Sequence, residues 1–347
     1  MKPLFAIFVV MSLSFFISCG DGSSSRIRSS KIIHEEVHLG EYMQVESPTS
    51  LISVQRDGES PGIVRINLKT DSIEVLDPSA KDARDIRASA DVVAYRVGFS
   101  LKFWKSGGVF QLIDFPILRL RGLQTIDQAL RVYVDTSLDQ SMWLKLDAAG
   151  NLLSSGALAG SLRANLLNAQ GEEVFLLQET NEFSFWKFES EIPHKLVTIE
   201  TGKLGSYAAM KFLSDGSLWA GYFDETAGTL KAISLLDPSH KIHLVDGIPG
   251  KTYRGHDIAI FDDQGKPGFV CLDAWSLKIR MARMSESGIW TSEDLGVKGA
   301  LGFYNQILDL SNRRLKIATH YFRTDHEDRR QSFENLGILE IQLDQLK

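Results

Sequence analysis

The sequence predicts an all-β chain folded as a single β-propeller of seven four-stranded antiparallel blades, with six or eight left open by an irregular first unit. Three observations lead there. Short strand-like runs parted by turn residues follow one another, and the nearest helical candidate, Ile126 to Tyr133, is short. Hydrophobic strand pairs recur near Val54, Tyr95, Tyr133, Leu176, Gly221, Val270 and Ala318, at steps of 41, 38, 43, 45, 49 and 48 residues. Two of those units can be laid side by side residue for residue. A pair of β-sandwiches would also supply many short strands, but the steady period favours one propeller.

The chain's first segment reads as an address. Met1-Lys2-Pro3 carries one positive charge, an apolar or hydroxyl run covers Leu4 to Ile17, and Ser18-Cys19-Gly20 follows. That run is shorter than the roughly 20 residues a membrane-spanning helix needs, so residues 1–18 read as a secretory signal peptide. A cysteine just after a small residue resembles the lipobox of bacterial lipoproteins, although Phe16 stands where leucine is usual. The resemblance implies cleavage before Cys19 and acylation of its thiol, a palmitate-type anchor, and a cell-envelope location on the periplasmic or cell-surface face of a membrane. The alternative is an ordinary signal peptide with an incidental cysteine. Residues 19–32, rich in glycine and serine, read as a flexible tether, and residues 33–347 as the propeller.

Bulk properties exclude several functions. The formal charge is −6 and becomes −7 once Lys2 leaves with the leader. With no lysine or arginine block, a nucleic-acid partner is not expected. If Cys19 carries lipid, Cys271 has no disulfide partner, so stability rests on a packed core. Cys271, between Val270 and Leu272, reads as a small buried hydrophobe.

The strands justify themselves one by one. In the earliest clear hairpin, Val64, Ile66 and Leu68 share one face, Thr70-Asp71 turns the chain, and Ile73 to Leu76 returns. Tyr207 to Asp224 and His256 to Asp273 are the two parallel copies, and each resumes with Leu-Lys, at Leu230 and Leu277. In both, a strand ends at an Asp-Gly or Gln-Gly turn, where glycine takes positive φ. The next strand ends at an aspartate, suited to a turn held by its own side chain. A third copy, Tyr304 to Tyr321, has Asn312 in place of glycine. Asp262-Asp263-Gln264-Gly265-Lys266-Pro267 and Gly221-Tyr222-Phe223-Asp224 resemble the repeats of bacterial sialidase-like (BNR-type) β-propellers, chiefly over residues 200–295. The stricter Ser-x-Asp-x-Gly-x-x-Trp box is not met, so the resemblance implies architecture and not chemistry.

Candidate site residues follow from the repeat. Tyr207, His256 and Tyr304 open one strand type, with Arg254 and Asp257 beside His256, so these five are expected at one rim of the disc. The bland alternative is that they cap strands or fill the channel wall. A sialidase-type hydrolase would need three arginines, a tyrosine nucleophile with a carboxylate partner, and an acid. Arg96, Arg119, Arg121, Arg163, Arg254 and Arg280 are available, but spacing alone cannot bring them together. Arg119-Leu120-Arg121 alternates, placing both arginines on one strand face. The polar stretch Thr319 to Arg330 lacks a second ligand cluster and reads as a solvated loop, so no metal and no catalytic residue is assigned. No nucleotide or cofactor motif is present. Trp104, Trp143, Trp186 and Trp219 are expected between blades. Trp275 and Trp290, next to turns, can stack on sugars or peptides, with core packing the expectation even for them. The resulting expectation is a lipid-anchored scaffold that binds an envelope protein or glycan, with a divergent glycan hydrolase as the alternative.

Overall fold

The computed structural model describes residues 26–33, 39–58, 60–105, 108–112, 116–297, 300–322 and 334–344. The leader, Cys19 and residues 323–330 of the polar stretch lie outside them. Thr319 to Phe322, expected in a solvated loop, instead end a strand in which Thr319 and His320 are buried. The described residues form 28 strands and no helix, in seven four-stranded antiparallel sheets.

Six blades are continuous in sequence. The first comprises β2 (Glu41–Ser47), β3 (Ser50–Gln55), β4 (Gly62–Asn67) and β5 (Ser72–Asp77). The second comprises β6 (Arg84–Ser89), β7 (Val92–Val97), β8 (Ser100–Lys105) and β9 (Gly108–Leu112). The third comprises β10 (Arg119–Ile126), β11 (Ala129–Asp135), β12 (Ser141–Leu146) and β13 (Leu152–Ala157). The fourth comprises β14 (Ser161–Leu167), β15 (Glu173–Gln178), β16 (Glu182–Glu189) and β17 (Ile192–Thr201). The fifth comprises β18 (Leu204–Phe212), β19 (Leu218–Asp224), β20 (Thr229–Ser234) and β21 (Ile242–Asp246). The sixth comprises β22 (Arg254–Asp263), β23 (Lys266–Asp273), β24 (Lys278–Met284) and β25 (Trp290–Asp294). All seven sequence anchors fall on the second strand of a blade.

The seventh blade is composite. β26 (Ala300–Ser311), β27 (Arg314–Phe322) and β28 (Glu334–Gln342) come from the chain's end, and β1 (Arg26–Ile33) adds the outermost strand. β1 runs antiparallel to β28, with Lys31 opposite Ile338 and Ile32 opposite Gly337. The sequence leads one to expect closure from Val37 onward. The partner segment is the expected one, but the closing strand is earlier, and Val37 lies outside the described residues. Arg26 to Ile32, read as tether, form most of that strand. Their alternating pattern is short and rich in serine, and only pairing to a waiting edge makes it a strand. The helical candidate Ile126–Tyr133 is likewise corrected: it is the β10–β11 hairpin, turning at Asp127 and Gln128, both at positive φ (48° and 66°).

The first strand of each blade touches the first strand of the next, and β26 touches β2, so the ring is closed around an axis. Seven hydrophobic clusters fill the seven interfaces between neighbouring blades. Trp104, Trp143, Trp186 and Trp219 lie in these interfaces, each under a tenth exposed. Cys271 is buried there too, where burial pushes its thiol well up.

A polar latch recurs across three interfaces. An acid at the outer edge of one blade accepts hydrogen bonds from side chains of the next. Asp77 accepts from Tyr95 Oη (2.6 Å), and Glu200 accepts from Tyr222 Oη (2.8 Å) and Lys231 Nζ (2.6 Å). Asp246, 2% exposed, takes Arg280 Nε at 2.6 Å, Arg254 Nη1 at 2.8 Å and Ser292 Oγ at 2.9 Å. Burial opposes ionisation of Asp246, but these donors hold its carboxyl below the usual range.

Two outcomes follow. Asp246→Ala strands the partly buried Arg280 and takes one of two acids from Arg254, so it should cost about 3 kcal/mol, read as a lower urea midpoint. A chain beginning after Ile33 should melt at lower temperature and self-associate through the bared β28 edge, read by calorimetry and size-exclusion chromatography.

Candidate functional site at one mouth of the channel

Each innermost strand carries at least one extra residue near its start, and β18, β22 and β26 carry two. Register breaks lie between Glu41 and Gln44, Arg84 and Arg87, Leu120 and Gly122, Leu162 and Ala164, Leu204 and Ala208, His256 and Ala259, and Phe303 and Gln306. A bulge of this kind re-aims the side chain it carries. Matching the registers places Tyr42, Asp85, Arg121, Arg163, Tyr207, Asp257 and Tyr304 at one equivalent position, one per blade, around a single mouth of the channel. Tyr42, Asp85, Asp257 and Tyr304 hold φ between 46° and 55°, a region non-glycine residues enter at a cost of roughly 1–3 kcal/mol each. Gly255 and Gly302 precede the bulges at φ 116° and 109°, where no side chain fits comfortably.

This register corrects the sequence alignment by one residue. Tyr207 matches Asp257 and not His256, because five residues join Phe212 to Leu218 whereas four join Asp262 to Pro267. The five candidate residues nonetheless gather at the same end. The ring of His256 lies 4.4 Å from Tyr207, 4.5 Å from Phe223 and 4.9 Å from Tyr253, centroid to centroid. Tyr304 packs on Tyr42 at 4.9 Å, and its backbone N–H donates to the Asp257 carboxylate. Arg254 is occupied: it pairs with Asp246 and with Asp273 Oδ2 at 3.2 Å.

Sequence reasoning missed the outward extension of this cluster. Trp275 is 66% exposed and lies parallel to Tyr253 (8° between planes, centroids 6.4 Å apart). Its turn is built by Asp273, whose Oδ1 accepts the N–H groups of Trp275 (3.1 Å) and Ser276 (3.3 Å). The capping aspartate was legible; the direction in which the turn throws its tryptophan was not. Trp290, by contrast, packs on Phe269 at 5.5 Å. On the other side of the mouth, Arg119 acts electrostatically on both Tyr207 and Arg163, so the third, fourth and fifth blades meet there. A strip therefore runs from Trp275 through Tyr253, His256 and Tyr207 to the arginines.

Desolvation sets the charges along the strip. It pushes His256 down to about 4, with Asp273 opposing, and the buried Nε2 has no hydrogen-bond partner among the described residues, so the ring is neutral. It pushes Asp257 up to about 7, opposed by the Tyr304 N–H. Burial raises the Tyr207 hydroxyl, and Asp257 adds to that rise. No group of histidine, cysteine or acidic residues able to hold a metal occurs among the described residues.

No protein-family model matches the chain, and no curated protein matches it in sequence. Solved structures do resemble it. Virginiamycin B lyase from Staphylococcus aureus, in a catalytically inactive form with quinupristin, superposes with a TM-score of 0.59 at 12% identity, over 90% of this chain and 98% of that one. The WD40 repeats of RRP9 superpose with a TM-score of 0.57 at 11% identity, over 92% and 100%. Oligogalacturonate lyase in complex with manganese gives 0.56 at 10% identity, over 91% and 95%. At such identities the likeness is one of fold: the chain is a seven-bladed β-propeller.

The two shifted groups pull stability in opposite directions. Asp257 binds its proton more tightly when folded, so its contribution is present below pH 4 and is lost as pH rises to about 7. His256 binds its proton less tightly when folded, so its contribution grows between pH 4 and 6.5. Each slope is at most about 1.4 kcal/mol per pH unit, and less for the partly solvated His256. Asp257→Asn removes only the falling limb. Its stability should gain on the wild type by about 1 kcal/mol per unit between pH 4 and 7, measured by urea midpoints.

Proposed function

We propose that this protein is an envelope lipoprotein, anchored through acylated Cys19, whose propeller binds a glycan along the strip from Trp275 to the arginines at the channel mouth. The observation that carries the reading is the exposed Trp275 ring parallel to Tyr253, continuous with His256 and Tyr207. Flat aromatic faces pack on the C–H faces of sugars while polar tips reach their hydroxyls. Phe99 (67% exposed), Ile248 (56%) and Leu138 (73%) lie on loops at the same end, which widens the docking face beyond a single sugar ring. A binding-module role fits a propeller, whose rigid disc presents loops from several blades at one end.

The anchor has a geometric consequence. Only Gly20 to Ser25 separate Cys19 from β1, a reach of about 20 Å fully extended. The edge of the seventh blade would therefore stay close to the membrane. Cys19→Ala should release the protein from membranes and abolish incorporation of a clickable palmitate analogue; retention of both would sink the anchor.

Glycan binding is checked by tryptophan fluorescence against fractionated envelope glycans. Trp275→Ala should weaken binding at least tenfold with an unchanged melting temperature. Saturable capture of a purified envelope protein with no glycan response would move the reading to protein docking. A second reading, glycan hydrolysis, draws on Tyr207 standing beside the carboxyl of Asp257 with arginines nearby. Against it, Tyr207 Oη has no hydrogen-bonded base among the described residues. Turnover of fluorogenic glycosides, lost in Tyr207→Phe, would establish hydrolysis.

A further inference from the structure

Charge at the arginine side of the mouth is unbalanced. Asp85 is paired with Arg96 at 2.8 Å and Asp135 with Arg121 at 2.6 Å. Setting those pairs aside leaves Arg87, Arg119 and Arg163, with Glu225 acting on Arg163 from nearby. Arg87 donates Nε to the backbone oxygen of Arg121 (2.8 Å) and Nη1 to that of Ile86 (2.7 Å), and neither acceptor carries charge. Arg163 has its Nε shut away from solvent without a hydrogen-bond partner, and neither it nor Arg119 has an ion pair among the described residues. These guanidiniums come from β6, β10 and β14, three consecutive innermost strands joined across the blades by the Arg87–Arg121 bond.

Like charges crowded at low solvation repel and lose hydration, and a guanidinium is the hardest side chain to neutralise by losing a proton. Burial, with Arg121 and Arg119 adding repulsion, pushes Arg163 down to about 10. An incoming anion relieves both costs. Three guanidiniums without an ion pair among the described residues crowd one arc, and positive charge there is in surplus. That surplus matches a dianion better than a lone carboxylate, and planar forks suit tetrahedral oxyanions.

We propose that this arc of the mouth is a binding site for a phosphate-monoester dianion, gripped by Arg163 and Arg119 with Arg87 supplying charge from below. As a statement about the ligand, that the glycan bears a phosphate next to the sugar stacked on Trp275, it rests on the reading above. The ion site itself does not. The test is thermal melting of the full-length protein in detergent at pH 8, titrated with inorganic phosphate against sodium chloride of equal ionic strength. Phosphate is expected to raise the melting temperature saturably and chloride not to. Arg163→Met should melt no lower than wild type without phosphate, since it removes an unpaired charge, and should weaken phosphate at least tenfold. Arg119→Gln, at an exposed position, should weaken it as well and supplies the readout if Arg163→Met does not fold. Trp275→Ala should keep the full phosphate response, which separates failure of the sugar platform from failure of the ion site. Equal shifts by phosphate and chloride, or an undiminished response in the arginine variants, would overturn the proposal.

Discussion

A ring of blades exists only if its first and last members meet, and here the last blade, which packs on the first through β26 and β2, is completed by one antiparallel pairing, β1 on β28. Each blade is a twisted sheet with two apolar faces, and neither face is covered unless a neighbour stands on each side. Seven interfaces satisfy seven blades; six interfaces leave two faces open. Closure therefore decides whether the apolar cluster between the seventh and first blades is complete. The bond that closes the ring is made by chain segments more than 300 residues apart. The loop-closure entropy of so distant a pairing grows only logarithmically with length, so a modest strand of eight residues suffices.

Closure also creates the mouth. A bulge in one strand only kinks that strand, whereas the same bulge in every innermost strand of a closed ring brings seven side chains to one circle. The backbone event is shared and the side chains are not. Tyrosines and acids occupy one arc, where burial pushes the Asp257 carboxyl up to about 7 and leaves His256 uncharged. Arginines occupy the other, where the Nε of Arg163 is buried without a hydrogen-bond partner among the described residues. A ligand entering this mouth meets an aromatic side and a cationic side within the width of one channel. The latches at Asp77, Glu200 and Asp246 lie further out, where Tyr95, Tyr222 and Arg280 hold neighbouring blades in fixed angular relation, so the mouth inherits its rigidity from them.

The fold was largely legible because its signals are local. Alternating strands, turn glycines such as Gly216 and Gly265 at φ 83° and 80°, and capping aspartates such as Asp224 and Asp273 are written within a few residues of where they act. The hairpin at Asp127-Gln128 escaped notice because its positive φ values are carried by residues that do not advertise them. The closing strand escaped because Arg26 to Ile33 has no strand signal apart from its partner. The rim candidates Tyr207, His256, Asp257 and Tyr304 were visible as repeat-equivalent positions, one residue out of register. The arginine arc is legible only as an unplaced set: the sequence offers Arg119, Arg121 and Arg163 as candidates and gives no sign of Arg87. Arg119 and Arg121 were seen as neighbours on one strand, but Arg87 and Arg163 join them only through bulge geometry and ring closure, which no spacing in the sequence encodes. Arg254, selected with the others, is spent on holding the fifth and sixth blades together.

The most direct measurement is a crystal structure of the protein grown with selenate, a tetrahedral dianion whose selenium can be located by anomalous scattering. The account predicts a dominant peak at the channel mouth, within hydrogen-bond reach of the Arg163 and Arg119 guanidiniums and on the far side of Tyr207 from Trp275. Peaks confined to outer-surface lysines, with Arg163 turned away from the axis, would contradict it.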